Sequence, residues 1–175
     1  MITKTSKILS DEHKYILKVA DAVEKECSEI KQGKKINDEF FKKIIEFIRN
    51  YADKFHHAKE EDILFKEFCK QADKGKVHCN PVEQMLFEHD EGRNFVRGIE
   101  DGQREKNRNK VVENALGYVN LIREHIYKED NILYPMADEV MDNKTEKEME
   151  EKFEEINKKR QADKENFERF SENLK

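Results

Sequence analysis

Apolar residues recur along this chain at spacings of three and four, which is the pattern of one buried face of an α-helix. The first stripe lies between Leu9 and Ile30 and alternates regularly between the two spacings, as in the seam of an antiparallel helical bundle. Gly33, Gly75 and the polar stretch 102–109 interrupt the later stripes and mark turns, while Pro135 kinks or ends the last one. The three further helices predicted in this way cover residues 39–72, 81–101 and 110–135. The pattern predicts an all-α fold, an antiparallel up-down four-helix bundle.

The chain beyond Asn143 has a different character. It opens on a capping box, Thr145 to Glu148, and continues as a mostly charged segment that keeps a sparse apolar seam. Arg160 and Asp163 occupy two positions where the seam expects apolar residues. We therefore expect two parts, a bundle over residues 1–142 and a charged amphipathic C-terminal helix over 143–175 that packs on the bundle or on a partner.

Composition narrows the class of protein. Charged residues make up 42% and hydrophobic residues 36% of 175 residues, and the net charge is −5. Basic and acidic residues are interspersed along the chain, so no basic patch indicates a nucleic-acid partner. No apolar run approaches the length of a membrane span and no apolar leader opens the chain, so we expect a cytoplasmic protein without a membrane partner. Three widely spaced cysteines predict neither a disulfide framework nor a zinc ribbon.

Histidine placement carries the chemical signal. Four of the six histidines can be assigned one to each predicted helix, namely His13, one of the adjacent pair at 56 and 57, His89 and His125. His57 and His125 are each followed four residues later by a glutamate. Residues four apart lie one turn above each other on the same helix face, so each pair can reach one metal centre.

The predicted turns place these residues at one level of the bundle. His13 and His57 each lie 22 residues from position 35, and His89 and His125 each lie 18 residues from Asn107. The midpoint between His57 and Glu61 lies 15 residues from position 74, as does His89 on the other side. Because antiparallel helices match residues at equal distances from their turn, the four histidines and two glutamates are expected to form one layer.

The helical wheel, at about 100° per residue, suggests which neighbours face inward. It places His57 near the apolar face of the second helix and His56 away from it. On the fourth helix it favours Glu129 over Asp130, although His125 and Asp130 also fit the HxxxxD pattern. The choice between Glu129 and Asp130 as a metal ligand stays open.

The motifs HAKEE at 57–61 and HIYKE at 125–129, with a histidine on the first and third helices, resemble the hemerythrin-like (HHE cation-binding) family over about residues 8–138. The resemblance implies a four-helix bundle with a non-haem centre of two iron ions bridged by an oxo or hydroxo group. It also implies the ligands, which are His13 and His57 on one iron, His89 and His125 on the other, and Glu61 and Glu129 bridging both. Imidazole and carboxylate donors without cysteine suit iron better than magnesium, calcium or structural zinc.

The resemblance implies a protein that binds or reduces dioxygen, nitric oxide or peroxide. Oxygen-carrying relatives have a fifth histidine one turn after the third-helix ligand, where this chain has Arg93. A four-histidine, two-glutamate site is similar instead to the branch associated with iron handling and iron-centre repair under oxidative or nitrosative stress. A sensor acting through a partner is the third possibility. Expected partners are the small ligands, an electron donor or an iron-centre client protein, with the chain a monomer or a homodimer.

Overall fold

The computed structural model describes residues 2–174, and within that range all regular structure is helical. Four long helices form an antiparallel bundle in which each helix packs against the next and the fourth returns to the first. Two shorter helices follow. The six helices are α1 (Lys4–Lys31), α2 (38–73), α3 (Asn80–Arg104), α4 (108–140), α5 (Asn143–Lys159) and α6 (Gln161–Glu172). The predicted all-α bundle is confirmed.

Local sequence signals explain where the helices begin. Thr3, Asn37, Asn107 and Asp142 each accept a hydrogen bond in their side chain from a backbone N–H of the first turn of the helix that follows. This arrangement satisfies donors that a helix start leaves without intrahelical partners. Gly33 adopts a φ of 113° just after α1 ends, a conformation that is readily accessible only to glycine.

Helices α2 and α4 are not regular throughout. Three segments have π-helical backbone, Ile48–His57 and Glu60–Leu64 in α2 and Glu129–Leu133 in α4. A π-helical hydrogen bond spans one more residue than an α-helical one, and π segments are frequently found at functional sites. In α4 the π segment ends two residues before Pro135, and the proline does not end the helix, which continues to Val140.

A polar layer divides the interior of the bundle. One apolar cluster, which includes Ile16, Tyr51 and Ile122, fills the end near the α1–α2 and α3–α4 turns. A second cluster, which includes Leu9, Phe68 and Leu133, fills the opposite end. On α1, α2 and α3 the histidines and glutamates of the predicted layer lie between these clusters, and on α4 His125 and Glu129 lie on either side of Ile126, the last residue of the first cluster there. All of them but Glu61 are buried.

The C-terminal segment forms two helices instead of the single predicted one. The break lies at Arg160, one of the two charged residues that interrupt the apolar seam, and its guanidinium donates a hydrogen bond to the backbone carbonyl of Lys54. Helix α5 packs on α1 and α2, and α6 packs on α1. Met149 and Phe153 of α5 are fully buried in the second apolar cluster, so this segment covers the bundle itself.

The cysteines differ from the prediction. Cys69 near the end of α2 and Cys79 just before α3 form a disulfide, with their Cα atoms 5.3 Å apart. The turn around Gly75 brings them together because they lie at similar distances on either side of it. Helices long and apolar enough to cross a membrane are absent from residues 2–174.

Candidate metal centre

Seven side chains converge in the polar layer as two groups of four that share one glutamate. Within each group, one potential ligand atom per residue lies within 4.8 Å of every other such atom, and all seven residues are buried. We call them the α1-side group and the α3-side group. The α1-side group is His13, His56, Glu60 and Glu129, and the α3-side group is His57, His89, His125 and Glu60.

In the α1-side group, the inward ring nitrogens converge on the carboxylates. Nε2 of His13 lies 3.0 Å from Nε2 of His56 and 3.2 Å from Oε2 of Glu129. Nε2 of His56 lies 3.7 Å from Oε2 of Glu60. The two histidines come from α1 and α2, so this group ties the first two helices to α4 through Glu129.

The α3-side group repeats this arrangement on the other half of the layer. Nε2 of His89 lies 3.0 Å from Nε2 of His125 and 3.5 Å from Oε2 of Glu60. Nε2 of His125 lies 3.1 Å from Oε1 of Glu129. Both glutamates therefore lie between the two groups. Oε2 of Glu60 lies between His56 and His89, and the two oxygens of Glu129 face His13 and His125 separately.

Four of the five histidines are held from outside the layer by a carboxylate on Nδ1, at 2.8–3.0 Å. A carboxylate accepts the Nδ1 proton and so leaves the Nε2 lone pair directed inward, the tautomer that a metal ligand needs. The four pairs are His13 with Asp130, His56 with Glu12, His89 with Glu61 and His125 with Glu88.

Two positions differ from the sequence prediction. His56, expected to face away from the bundle, is buried and contacts His13. Glu60 lies in both groups, whereas Glu61 lies outside them, where it binds His89 Nδ1 and Arg93. The physical reason is the π backbone of α2, because a wheel drawn at about 100° per residue assumes regular α turns.

The remaining predicted residues, namely His13, His57, His89, His125 and Glu129, are brought together by the structure. Asp130, the alternative to Glu129, lies outside the two groups and holds His13 by Nδ1. Tyr134 also belongs to the site, although its role was not predicted from the sequence: its hydroxyl donates a hydrogen bond to Glu60 and its ring stacks on His13. Its position five residues after Glu129, one π turn along α4, is the only sequence signal for this role.

The charges of the layer are strongly coupled. Burial opposes protonation of His13 and His125, but neighbouring carboxylates outweigh it and raise the pKa of His13 to about 9 and that of His125 to about 10. Burial, reinforced by the charge of Glu129, raises the pKa of Glu60 well above its usual value. Burial also lowers the pKa of His56, and it lowers that of His57 to about 3. The layer thus combines histidines that favour the protonated form with histidines that favour the neutral form.

Several buried atoms in the layer have no hydrogen bond within the described structure. They are Oε2 of Glu60, both carboxylate oxygens of Glu129 and both ring nitrogens of His57. Burying such groups without hydrogen bonds is costly, whereas coordination to metal ions would satisfy the carboxylate oxygens and one ring nitrogen of His57. The donor set of five imidazoles and two carboxylates fits a pair of metal ions that share ligands.

One side of the layer opens into a cavity of about 420 Å³ between α2, α3 and α4. His57, His89 and His125 contribute to its wall, so the cavity reaches the α3-side group. His13 and His56 of the other group do not line it, and both are about 1% exposed.

A family model described as hemerythrin HHE cation binding domain matches residues 4–137. The match spans α1 to α3 and most of α4, and so includes all seven residues of the layer. No curated protein and no solved structure gives a significant match to the chain.

Proposed function

Because the chain belongs to the hemerythrin HHE cation-binding family, we propose that it holds two iron ions in the polar layer and binds or reduces dioxygen, nitric oxide or peroxide there. One ion would be held by the α1-side group and the other by the α3-side group. When bound, such an iron pair supplies the electrons and open coordination positions that these small molecules need. The protein's own residues hold the ions, fix their spacing and control access.

The observation that carries this proposal is the sharing of Glu60 between two histidine groups. A single site would need only one group of four, and two independent sites would not place one carboxylate beside histidines of both. Glu129 adds a second link, since its two oxygens face His13 and His125. Two metals joined by carboxylates are the arrangement that these contacts favour.

The donor chemistry supports iron. Imidazole and carboxylate together suit first-row transition metals, whereas thiolates would favour a structural zinc site. Cysteines are absent from both groups. Each group offers four protein donors, which leaves an iron that prefers six ligands with positions for small molecules.

The surroundings of the layer hold the ligands in position. The four carboxylates on Nδ1 fix the direction of four histidines, and Tyr134 fixes Glu60 through its hydroxyl. Small molecules would enter from the cavity, which reaches only the α3-side group, while the α1-side group is enclosed by the bundle. We therefore propose that reaction occurs on the α3 side.

The test is metal analysis combined with rapid mixing. Protein produced with ample iron is expected to contain about two iron ions per chain. The protein is reduced in the absence of air and then mixed rapidly with a solution of dioxygen, nitric oxide or peroxide. Its visible absorption is expected to change on mixing. One tightly bound zinc per chain and no iron would contradict the proposal.

Histidine variants give a matched comparison. His56→Ala and His57→Ala should each lower the iron content, because both residues lie in the groups. His78→Ala serves as the control, since His78 is exposed and lies in the α2–α3 turn, outside both groups. Equal iron contents in all three variants would show that the layer does not hold the metal.

A further inference from the structure

The cavity beside the α3-side group is far larger than a diatomic molecule requires. Its volume of about 420 Å³ compares with roughly 30 Å³ for one water molecule in the liquid and falls within the range of about 300–1,000 Å³ of pockets that hold small organic ligands. Its walls are largely apolar and include Ile48, Val96, Leu121 and Ile122. An access channel for gases alone would not need this room.

Two residues of the cavity wall carry buried polar atoms that make no hydrogen bond. The Tyr118 hydroxyl is buried and makes no hydrogen bond, and neither ring nitrogen of His57 makes one. The nearest carboxylate oxygen to His57 is Oδ1 of Asp53, 3.8 Å from Nδ1. The proposed metal pair accounts for one ring nitrogen of His57, and the second nitrogen and the Tyr118 hydroxyl remain without a partner. Buried polar atoms are normally hydrogen-bonded, so a partner from outside the protein is indicated at the inner end of the cavity.

Most charged side chains of the cavity wall are neutralised by a partner of opposite charge. Arg49 binds Glu100 through two hydrogen bonds, and Arg93 binds Asp53 and Glu61. Glu88, the other acidic wall residue, is engaged by His125 and Lys128.

Two cations remain at the outer end. Lys54 and Arg97 are exposed wall residues, and within residues 2–174 neither forms an ion pair with a carboxylate. Arg97 bonds only to the amide oxygen of Asn94. The outer end of the cavity therefore carries positive charge that its own carboxylates do not neutralise.

We propose that this cavity binds a small organic acid. Its apolar body would lie between α2, α3 and α4, its acidic group would face Lys54 and Arg97, and its inner end would reach Tyr118 and His57. The ligand's role as a co-substrate or regulator of the metal pair rests on the proposed function. Binding itself needs only the cavity.

Gly92 offers a position from which a larger side chain can extend into the cavity. It lies in the cavity wall on α3, and a Cβ atom there would meet Leu121 and Tyr118 at 3.7 Å, an ordinary contact distance. Replacing a mid-helix glycine also favours the helix. Gly92→Leu should therefore keep the fold while occupying space that the ligand needs.

The experiment is calorimetric titration of the iron-loaded full chain with 4-phenylbutyrate, and with 4-phenylbutanol as the neutral counterpart. The acid is expected to bind with a dissociation constant of about 1 mM or tighter, and the alcohol several-fold more weakly. Gly92→Leu should weaken binding of the acid at least tenfold. Tyr118→Phe, which removes only an unpartnered hydroxyl and should not disturb folding, should weaken it about two- to tenfold.

Charge variants test the outer end. Lys54→Gln with Arg97→Gln should weaken binding of the acid about three- to tenfold and remove its dependence on salt, while leaving the alcohol unaffected. The control pair, Lys43→Gln with Arg104→Gln, removes one exposed lysine of α2 and one exposed arginine of α3 away from the cavity and should have no effect.

The outcomes separate this inference from the proposed function. If the chain contains two iron ions but the acid does not bind, or binds equally well to Gly92→Leu, the proposal of an organic-acid site is wrong. The proposal of a metal pair is then unaffected. Equal binding of acid and alcohol would also overturn it. If the chain contains no iron, the proposed function fails, and Gly92-dependent binding would still establish the cavity as an organic-acid site.

Discussion

Adjacent residues with similar chemistry take different positions in this layer. Glu60 and Glu129 face both histidine groups, while the next residue in each case, Glu61 or Asp130, holds a histidine of another helix from outside. The two acidic pairs thus supply one inner and one outer carboxylate each. A histidine held by a carboxylate is a better oriented and more basic ligand, so the outer carboxylates matter for metal affinity as well.

Exchanging each member of the pair at 60 and 61 for glutamine tests this division. Glu60→Gln should lower the iron content from about two ions per chain to one or fewer, since Glu60 is the residue shared by both groups. Its metal-free stability should change little, because burial already raises the pKa of Glu60 and favours the neutral form that glutamine mimics. Metal analysis and thermal melting of the metal-free protein measure the two effects.

Glu61→Gln is the matched variant. Its amide oxygen can still accept the Nδ1 proton of His89, so both ions should remain bound, with affinity lowered about 10- to 100-fold. The assignment of Glu60 as the shared ligand would be wrong if Glu61→Gln emptied the site and Glu60→Gln did not.

At the scale of helices, the sequence predicted most of the architecture. Glycines, asparagine caps and polar turns located the four helices of the bundle, and equal distances from those turns predicted that His13, His89 and His125 lie at one level. These signals are local or depend only on counting residues along regular helices. The prediction of facing failed at His56, where the backbone changes from α to π and the angle per residue is no longer about 100°. No residue near His56 signals that change, because a π turn depends on packing across the bundle.

Helix α5 is expected to stabilise the bundle through Phe153. The ring is fully buried and lies 5.6 Å from the ammonium of Lys59, a buried cation of α2 that binds Glu12. Phe153→Ala should lower the free energy of unfolding by about 3–5 kcal/mol, since it leaves a cavity and admits water to Lys59. Thermal or denaturant melting measures this loss.

The matched control is Phe87→Ala, since Phe87 is 61% exposed on α3 and should contribute less than about 0.5 kcal/mol. Iron content should stay at two ions per chain in both variants, because α5 contributes no residue to either group. Equal stability of the two variants would show that α5 does not anchor to the bundle at this residue.

For the molecule as a whole, metal binding and protonation compete for the same atoms. Without metal at pH 7.5, His13 and His125 are protonated because their pKa values are raised to about 9 and about 10, and the raised pKa of Glu60 favours its protonated form. A metal ion needs all three groups deprotonated. Loading both ions should therefore release about two protons from the histidines, together with any proton that Glu60 retains, and affinity should fall as pH falls, by about tenfold per pH unit for each proton. Calorimetric titration of ferrous iron without air, in two buffers with different ionisation enthalpies, measures this number. Binding heats that are independent of the buffer would mean that the layer is already deprotonated, and that its carboxylates do not retain protons on the histidines.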